Sequence, residues 1–269
     1  MNSTAPSDTF WWHSIDLGGG VVTPGAKSPA HLAAEWEALR LPELGGKSVL
    51  DVGTWDGYFA FEAERSGAAS VVALDHYVWA LDLPRQQAYW RECQERGVPP
   101  EPYHTVPRLW QPDQLPGKRG FDTAHAARQS RVRAVVADFM TMDLTTLGIF
   151  DVVFYLGVLY HMEDPLGALR RLAAVTRELA VIETQAIAVP RYEESALCEF
   201  YPSHELNADV SNWWAPNARA LGGLCRAAGF ARVNVLTPPP RRRFRSALYR
   251  SLVRPAVVHY VLVAHAWRG

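Results

Sequence analysis

The stretch Val49-Leu50-Asp51-Val52-Gly53-Thr54-Trp55-Asp56-Gly57 constrains the fold of this chain more than any other, because it carries a short apolar strand into a helix through an Asp-x-Gly-x-x-x-Gly turn. A glycine at such a turn allows backbone angles and close ligand approach that a Cβ forbids, and the open helix N-terminus behind it offers free N–H groups to a polar ligand. Residues Tyr58 to Arg65 can form that helix. The spacing is not the Gly-x-Gly-x-x-Gly that wraps a pyrophosphate. Asp51 stands at the strand's end instead, suited to a cationic ligand, and the turn reads as a nucleoside site.

Two further strands end in acids. Ser70-Val71-Val72-Ala73-Leu74 is a buried-strand pattern closing on Asp75 and His76. Asp75 follows the turn by about 20 residues, the distance at which an acid meets ribose hydroxyls in nucleoside-binding α/β units. Val132 to Ala137 ends in Asp138-Phe139. A strand-end Asp also serves as a helix cap, and it is the succession of three that favours a binding site.

Strands are expected near 48 to 52, 70 to 74, 132 to 137, 150 to 156, 179 to 183, 231 to 236 and 257 to 265. Helices fall near 29 to 40, 57 to 66, 84 to 96, 121 to 129, 165 to 176 and 215 to 228. Such alternation predicts an α/β fold, a seven-stranded, mostly parallel sheet covered by helices on both faces. In the helix near 165 to 176, Leu166, Leu169, Leu172 and Val175 form one apolar stripe, with Arg170, Arg171 and Arg177 off it. Residues 1 to 40 read as an N-terminal lid or substrate segment and 41 to 269 as the catalytic domain. Two irregular stretches, 98 to 120 and 184 to 215, read as substrate-side insertions. Trp11, Trp12, Trp36, Trp110, Trp213 and Trp214 lie in these irregular parts, where aromatic rings either line a pocket or pack a lid on the core.

The 269 residues suffice for one enzyme-sized domain. No stretch approaches the ~18 apolar residues of a membrane span, and the N-terminus lacks the basic and apolar regions of a signal peptide, so a cytoplasmic protein without membrane contact is expected. Cys93, Cys198 and Cys225 follow no zinc or redox spacing; reduced thiols in or near the core are expected, and no metal. A net charge of −1 argues against a protein that coats nucleic acid by bulk electrostatics. The Arg241-Arg242-Arg243-Phe244-Arg245 run after Pro238-Pro239-Pro240 is a local exception, readable as a solvated loop, an anion patch or an RNA contact.

The Asp51 to Gly57 turn resembles motif I of the class I S-adenosylmethionine methyltransferases. Several segments sharpen the likeness: Trp12-His13-Ser14-Ile15-Asp16-Leu17, Thr23-Pro24-Gly25, Phe154-Tyr155-Leu156-Gly157-Val158-Leu159-Tyr160-His161 and Ser211-Asn212-Trp213-Trp214-Ala215-Pro216-Asn217. In combination they are similar to the family of tRNA wobble-uridine (mo5U34) methyltransferases. The resemblance implies S-adenosylmethionine as cofactor, an antiparallel last strand, and adenine recognition by Asp138 and Phe139. It places Asp51, Gly53, Thr54, Trp55, Asp56, Gly57, Asp75, His76, Leu156 and Gly157 around the cofactor. The family holds an RNA enzyme that moves a carboxymethyl group from carboxy-S-adenosylmethionine to 5-hydroxyuridine, and relatives with natural-product substrates. That RNA enzyme carries a long region before its catalytic domain, whereas this chain begins almost at Trp11-Trp12-His13. For the extra carboxylate of its cofactor only Tyr160 matches, with Lys27 and Arg241 to Arg243 loosely placed. Ordinary S-adenosylmethionine and a small-molecule acceptor are therefore expected, with tRNA the alternative acceptor and a noncatalytic cofactor-binding protein the third reading. A homodimer is compatible with this.

Methyl transfer from a sulfonium requires donor and acceptor held close and, for a hydroxyl, removal of a proton. His161, just past the fourth strand, is the base candidate, since an imidazole is neutral near physiological pH; it could instead orient a loop. His13 is the alternative base. Tyr160 can position the acceptor or pack beneath the cofactor, and Glu183 can accept a substrate proton or cap the next segment. Trp11, Trp12, Lys27, Trp213 and Trp214 complete the expected substrate side. The expected reaction is O-methylation of a hydroxyl or enol.

Overall fold

The computed structural model describes residues 9–240 and 257–269; the Arg241 to Arg245 run lies outside them. Seven strands form one sheet: β1 (Ser48–Val52), β2 (Ser70–Asp75), β3 (Arg133–Val136), β4 (Phe150–Leu156), β5 (Thr176–Ala188), β8 (Arg232–Val235) and β9 (Val258–Trp267). Their order is β3-β2-β1-β4-β5-β9-β8. The first five run parallel, and β9 is antiparallel to β5 and β8. Strand order reverses between β1 and β4, the place where open α/β sheets bind ligands beyond the strands' carboxyl ends. A separate two-stranded ribbon pairs β6 (Cys198–Phe200) with β7 (Trp214–Pro216).

The helices begin where the residues supply caps. Ser28, Asp82, Asp164 and Asn217 accept amide hydrogen bonds at the starts of α1 (Pro29–Ala38), α4 (Leu83–Arg96), α6 (Pro165–Val175) and α7 (Ala218–Ala227), and proline occupies the first turn of the first three. Between them lie α2 (Tyr58–Arg65), the short α3 (Tyr77–Ala80) and α5 (Arg119–Ala127). One apolar layer fills the α6–α7 face around Leu50, Val153, Leu169 and Leu172; another fills the opposite face around Val49, Phe59, Phe61, Phe121 and Phe154. Among the described residues no helix is long and apolar enough to cross a membrane.

Two expectations need correction. The irregular crossover does not begin at 184, because Thr184 to Ala188 continue β5, paired with Val258 to Leu262. Thr-Gln-Ala carries little strand signal, and its hydrogen-bond partners come from a strand far along the chain. Cys198 is exposed, whereas Cys93 and Cys225 are buried as free thiols. Arg171, off the apolar stripe of α6, donates through its guanidinium to the carbonyls of Phe139, at 2.6 Å, and Met142.

Candidate active site

A cavity of about 650 Å³ opens beyond the carboxyl ends of β1, β2, β3 and β4, lined among others by Gly53, Asp75, His76, Asp138, Phe139, Tyr155, His161 and Trp213. Its floor follows from the motif turn. Gly53 has φ 77°, and a Cβ there would meet Val158 Cγ2 at 2.5 Å, so a side chain would both strain the backbone and fill the cleft. Gly57, by contrast, is a packing glycine: its Cβ would strike the Phe61 and Phe121 rings at 2.6 and 2.8 Å.

The acids of the three strands take different roles. Asp75 accepts from the Trp55 amide at 2.9 Å and the Val78 amide at 3.1 Å, and it lines the cavity. Burial pushes its carboxyl up to about 6, against the downward pull of those amides. Asp138 accepts from the Met140 amide at 2.8 Å and Thr141 Oγ1 at 3.1 Å. The Arg171 bonds to Phe139 and Met142 hold the same loop from behind. Asp51 turns inward: Thr54 Oγ1 donates to it at 2.6 Å, and burial raises it to about 6. It lies outside the cavity lining, held inside the turn by Thr54.

Asp56 is also structural. It accepts from the amides of Trp12 and His13 at 2.9 and 2.8 Å, and its other oxygen bonds His13 Nδ1. His13 is thereby a latch that ties the N-terminal segment to the turn, and it stacks on Tyr58 with 5.7 Å between ring centroids. Trp11 is 2 % exposed and belongs to the core. Trp12 stacks on Trp55 at 5.0 Å, and Trp214 packs on Phe200 at 4.8 Å. Lys27 donates to both oxygens of Glu35, at 2.7 and 2.9 Å. Of the expected site residues, the cavity thus unites Gly53, Asp75, His76, Asp138, Phe139, His161 and Trp213. Asp51, Thr54, Trp55, Asp56, Gly57, Leu156, Gly157, His13, Tyr160, Glu183, Trp11, Trp12, Lys27 and Trp214 lie outside its lining.

Tyr160 and His161 share a single tight turn, with ring centroids 4.3 Å apart, yet face different neighbours. His161 Nδ1 lies 3.0 Å from the Ser211 carbonyl oxygen and 2.9 Å from Ser211 Oγ. A carbonyl only accepts, so Nδ1 carries the proton; Ser211 Oγ donates onward to Asp209 at 2.8 Å. Nε2 is left as a lone-pair acceptor. Burial lowers the His161 pKa, with Asp209 opposing, which keeps the imidazole neutral at pH 7.

The spacing of residues held no sign of Asp209 and Ser211 as the partners of His161, although Ser211 opens the Ser211-Asn212-Trp213-Trp214 motif and Asp209 stands two residues before it. Nor did it single out His104 and Tyr77, which surround Trp110 on the cavity's rim, with Tyr77 5.3 Å and His104 6.3 Å from it. Tyr155 Oη is buried in the cavity lining with no hydrogen-bond partner among the described residues. A nucleoside fits this wall: one orphaned hydroxyl, a buried carboxyl at a strand end, and a glycine floor.

Because Asp75 is held higher when folded than its unfolded value near 4, its contribution favours the folded state below about pH 4 and is lost as pH rises through about 6. His161 and His265, both lowered by burial, run the other way, so the clean readout is a difference. Relative to the wild type, Asp75→Asn should gain on the order of 3 kcal/mol between pH 4 and pH 7. Urea unfolding at several pH values checks this; a difference that stays flat would mean that Asp75 is not driven up by burial.

A parallel sheet with an antiparallel last pair, a glycine turn and acids at successive strand ends make up the class I methyltransferase fold. The chain belongs to the family described as "Methyltransferase domain", whose model matches residues 29–235. It is similar to the tRNA U34 carboxymethyltransferase of Desulforapulum autotrophicum, with 25 % identity over 224 residues that cover 79 % of this chain and 57 % of that protein. The enzyme of the same name from Ectopseudomonas mendocina is 27 % identical over 204 residues, 73 % of this chain and 50 % of that protein. The chain therefore spans about half the length of these curated relatives. Among solved structures, the N-terminal domain of EvdMO1 with SAH bound matches with TM-score 0.55 and 19 % identity, covering 96 % of this chain and 92 % of that one. The same domain in the presence of SAH and D-fucose matches with TM-score 0.51 and 19 % identity, covering 96 % and 91 %.

Proposed function

We propose that this methyltransferase methylates a hydroxyl on a small-molecule acceptor, with His161 as general base. The carrying observation is the His161 imidazole, fixed through Nδ1 by Ser211 so that Nε2 is the free acceptor in the cavity wall. When bound, S-adenosylmethionine supplies a methyl group on a sulfonium. Asp75, His76, Asp138 and Phe139 would hold its nucleoside, beside the Gly53 floor and the Tyr155 hydroxyl. His161 Nε2 would take the acceptor's proton as the methyl passes from sulfur to oxygen, the S–C bond breaking as the O–C bond forms, and Ser211 with Asp209 would steady the imidazolium that results.

The cavity's size lies in the range of small-molecule sites. The names of the curated relatives favour a second reading, modification of tRNA at U34. Titrating the protein with tRNA at increasing salt separates the two: tight binding whose logarithm falls linearly with log salt supports the RNA acceptor. The small-molecule reading expects no binding at low salt, together with methyl transfer to hydroxylated metabolites from labelled S-adenosylmethionine. Transfer to tRNA alone would overturn it.

A further inference from the structure

Four aromatic rings gather on one part of the cavity wall, apart from Phe139 and Tyr155. Trp110 is their centre, with Tyr77 5.3 Å, His76 5.4 Å and His104 6.3 Å away between ring centroids, and all four line the cavity. The backbone that presents the half-buried indole is tied down on both sides. Trp110 forms a β-bridge with Leu81, the Asp82 amide donates to the Leu109 carbonyl at 2.8 Å, and the Gln111 amide donates to the Ala80 carbonyl at 2.7 Å.

One short segment connects these rings to the base. Val210 packs in the same apolar cluster as Tyr77 and Trp110, and the next residue, Ser211, holds His161 Nδ1. Trp213 donates its amide to the Tyr160 carbonyl at 2.7 Å and also lines the cavity. Residues 210 to 213 thereby bring the aromatic wall and His161 to the same end of the cavity.

Charge narrows what can lie there. The lining holds Asp75, Asp138, Glu163 and Asp164 and, among the described residues, no lysine or arginine. A carboxylate or phosphate on the acceptor would enter a cleft of acids without a cation to pair it. A cationic acceptor would lie beside the sulfonium that the cofactor brings, a like-charge contact that is costly away from water. A neutral flat ring meets neither cost and gains offset or edge-to-face contacts with Trp110, Tyr77 and His104. The proton chemistry points the same way. A hydroxyl on an aromatic ring, like that of tyrosine, ionises at about pKa 10, whereas an alkyl hydroxyl lies close to water at about 15.7. A neutral imidazole whose pKa burial has lowered is far better matched to the first.

We propose that the acceptor is an uncharged phenol-type compound, its ring held by the wall of Trp110, Tyr77 and His104 while its hydroxyl meets His161. This deepens the reading of His161 as the base for a small-molecule hydroxyl and rests on it. The phenolic proton passes to Nε2, and the oxygen bonds the methyl carbon as the S–C bond breaks and its electron pair stays on sulfur.

The test is ligand-observed NMR on the full chain saturated with S-adenosylhomocysteine. The probes are 4-methylphenol and 2-naphthol, with cyclohexanol, D-fucose, benzoate and benzylamine for comparison. At least one phenol should bind, and every comparison compound should bind about tenfold more weakly or not at all. Trp110→Ala should weaken phenol binding about tenfold, and Trp110→Phe, which keeps a ring, by less than about threefold; S-adenosylhomocysteine affinity should hold in both. His104→Ala, at an exposed position on the rim, should weaken the phenol severalfold and carries the test if Trp110→Ala does not fold. Absence of binding by both phenols, equal binding of cyclohexanol, D-fucose or either charged ring, or unchanged phenol affinity in the alanine variants overturns the proposal. Loss of S-adenosylhomocysteine affinity in Trp110→Ala also overturns it, by assigning the rings to the nucleoside. Each of these leaves the His161 reading standing, since that reading fails through full activity of His161→Ala or through transfer to tRNA alone.

Discussion

Replacing His161 by alanine is expected to lower kcat for methyl transfer by about 10²- to 10⁴-fold, the usual contribution of a positioned general base, with little change in S-adenosylhomocysteine affinity. The two readouts must separate, because the imidazole acts on the acceptor's proton while the nucleoside wall is made by other residues. The pH profile carries a second signature. Burial lowers the His161 pKa, so the wild-type rate should climb on an acidic limb below pH 6.5 and then level off. His161→Ala should lack that plateau and rise with pH as the acceptor hydroxyl itself ionises. Ser211→Ala should cost only a fewfold, since the Ser211 carbonyl still holds Nδ1–H in the required tautomer. Full activity of His161→Ala at every pH would remove His161 from the chemistry and leave proximity alone to account for the rate.

Asp56→Ala should destabilise the protein by about 3–5 kcal/mol, since each donor left unsatisfied in a buried place costs ~1–3 kcal/mol and one carboxyl serves several. Asp56 is 1 % exposed and satisfies two backbone amides as well as the His13 ring, so its loss strands three donors. Asp56→Asn retains one acceptor oxygen and should lose less. The midpoint of urea unfolding should fall with an unchanged slope if the effect is global. If the N-terminal segment opens separately, amide exchange and protease cleavage should rise between residues 9 and 28 before the sheet unfolds. A stability change below about 1 kcal/mol with no local opening would show that the latch is not needed, as for an exposed pair.

These two residues mark how far the chain could be read from its sequence. His161 stood out because a histidine just past a buried strand has few roles, and the cavity does contain it. Its working tautomer was not legible, because Ser211 and Asp209 reach it from fifty residues away. Asp56 was legible as part of the turn and misread in role. Position within Asp-Val-Gly-Thr-Trp-Asp-Gly says that a carboxylate is near the turn, but the donors that claim it come from Trp12 and His13 on another segment. Asp51 likewise has a donor inside the turn, Thr54 Oγ1, which its place in the motif did not announce. Strands were found because an apolar run buried on both faces is a local signal, and the tail of β5 was missed because its pairing with β9 is not.

The sequence by itself determined the alternation of strands and helices, the glycine turn, the three strand-end acids and hence the cofactor class, since each depends on residues close together in the chain. Only the tertiary structure decided which carboxyls remain available to a ligand. Asp51, Asp56 and Asp75 look alike in sequence, but burial and the donors around them engage the first two inside the turn and its latch and place Asp75 in the cavity wall. The physical reason is that a carboxylate's role follows from the donors within about 3 Å of it and its access to water, and both are set by chain crossings rather than by neighbours in sequence.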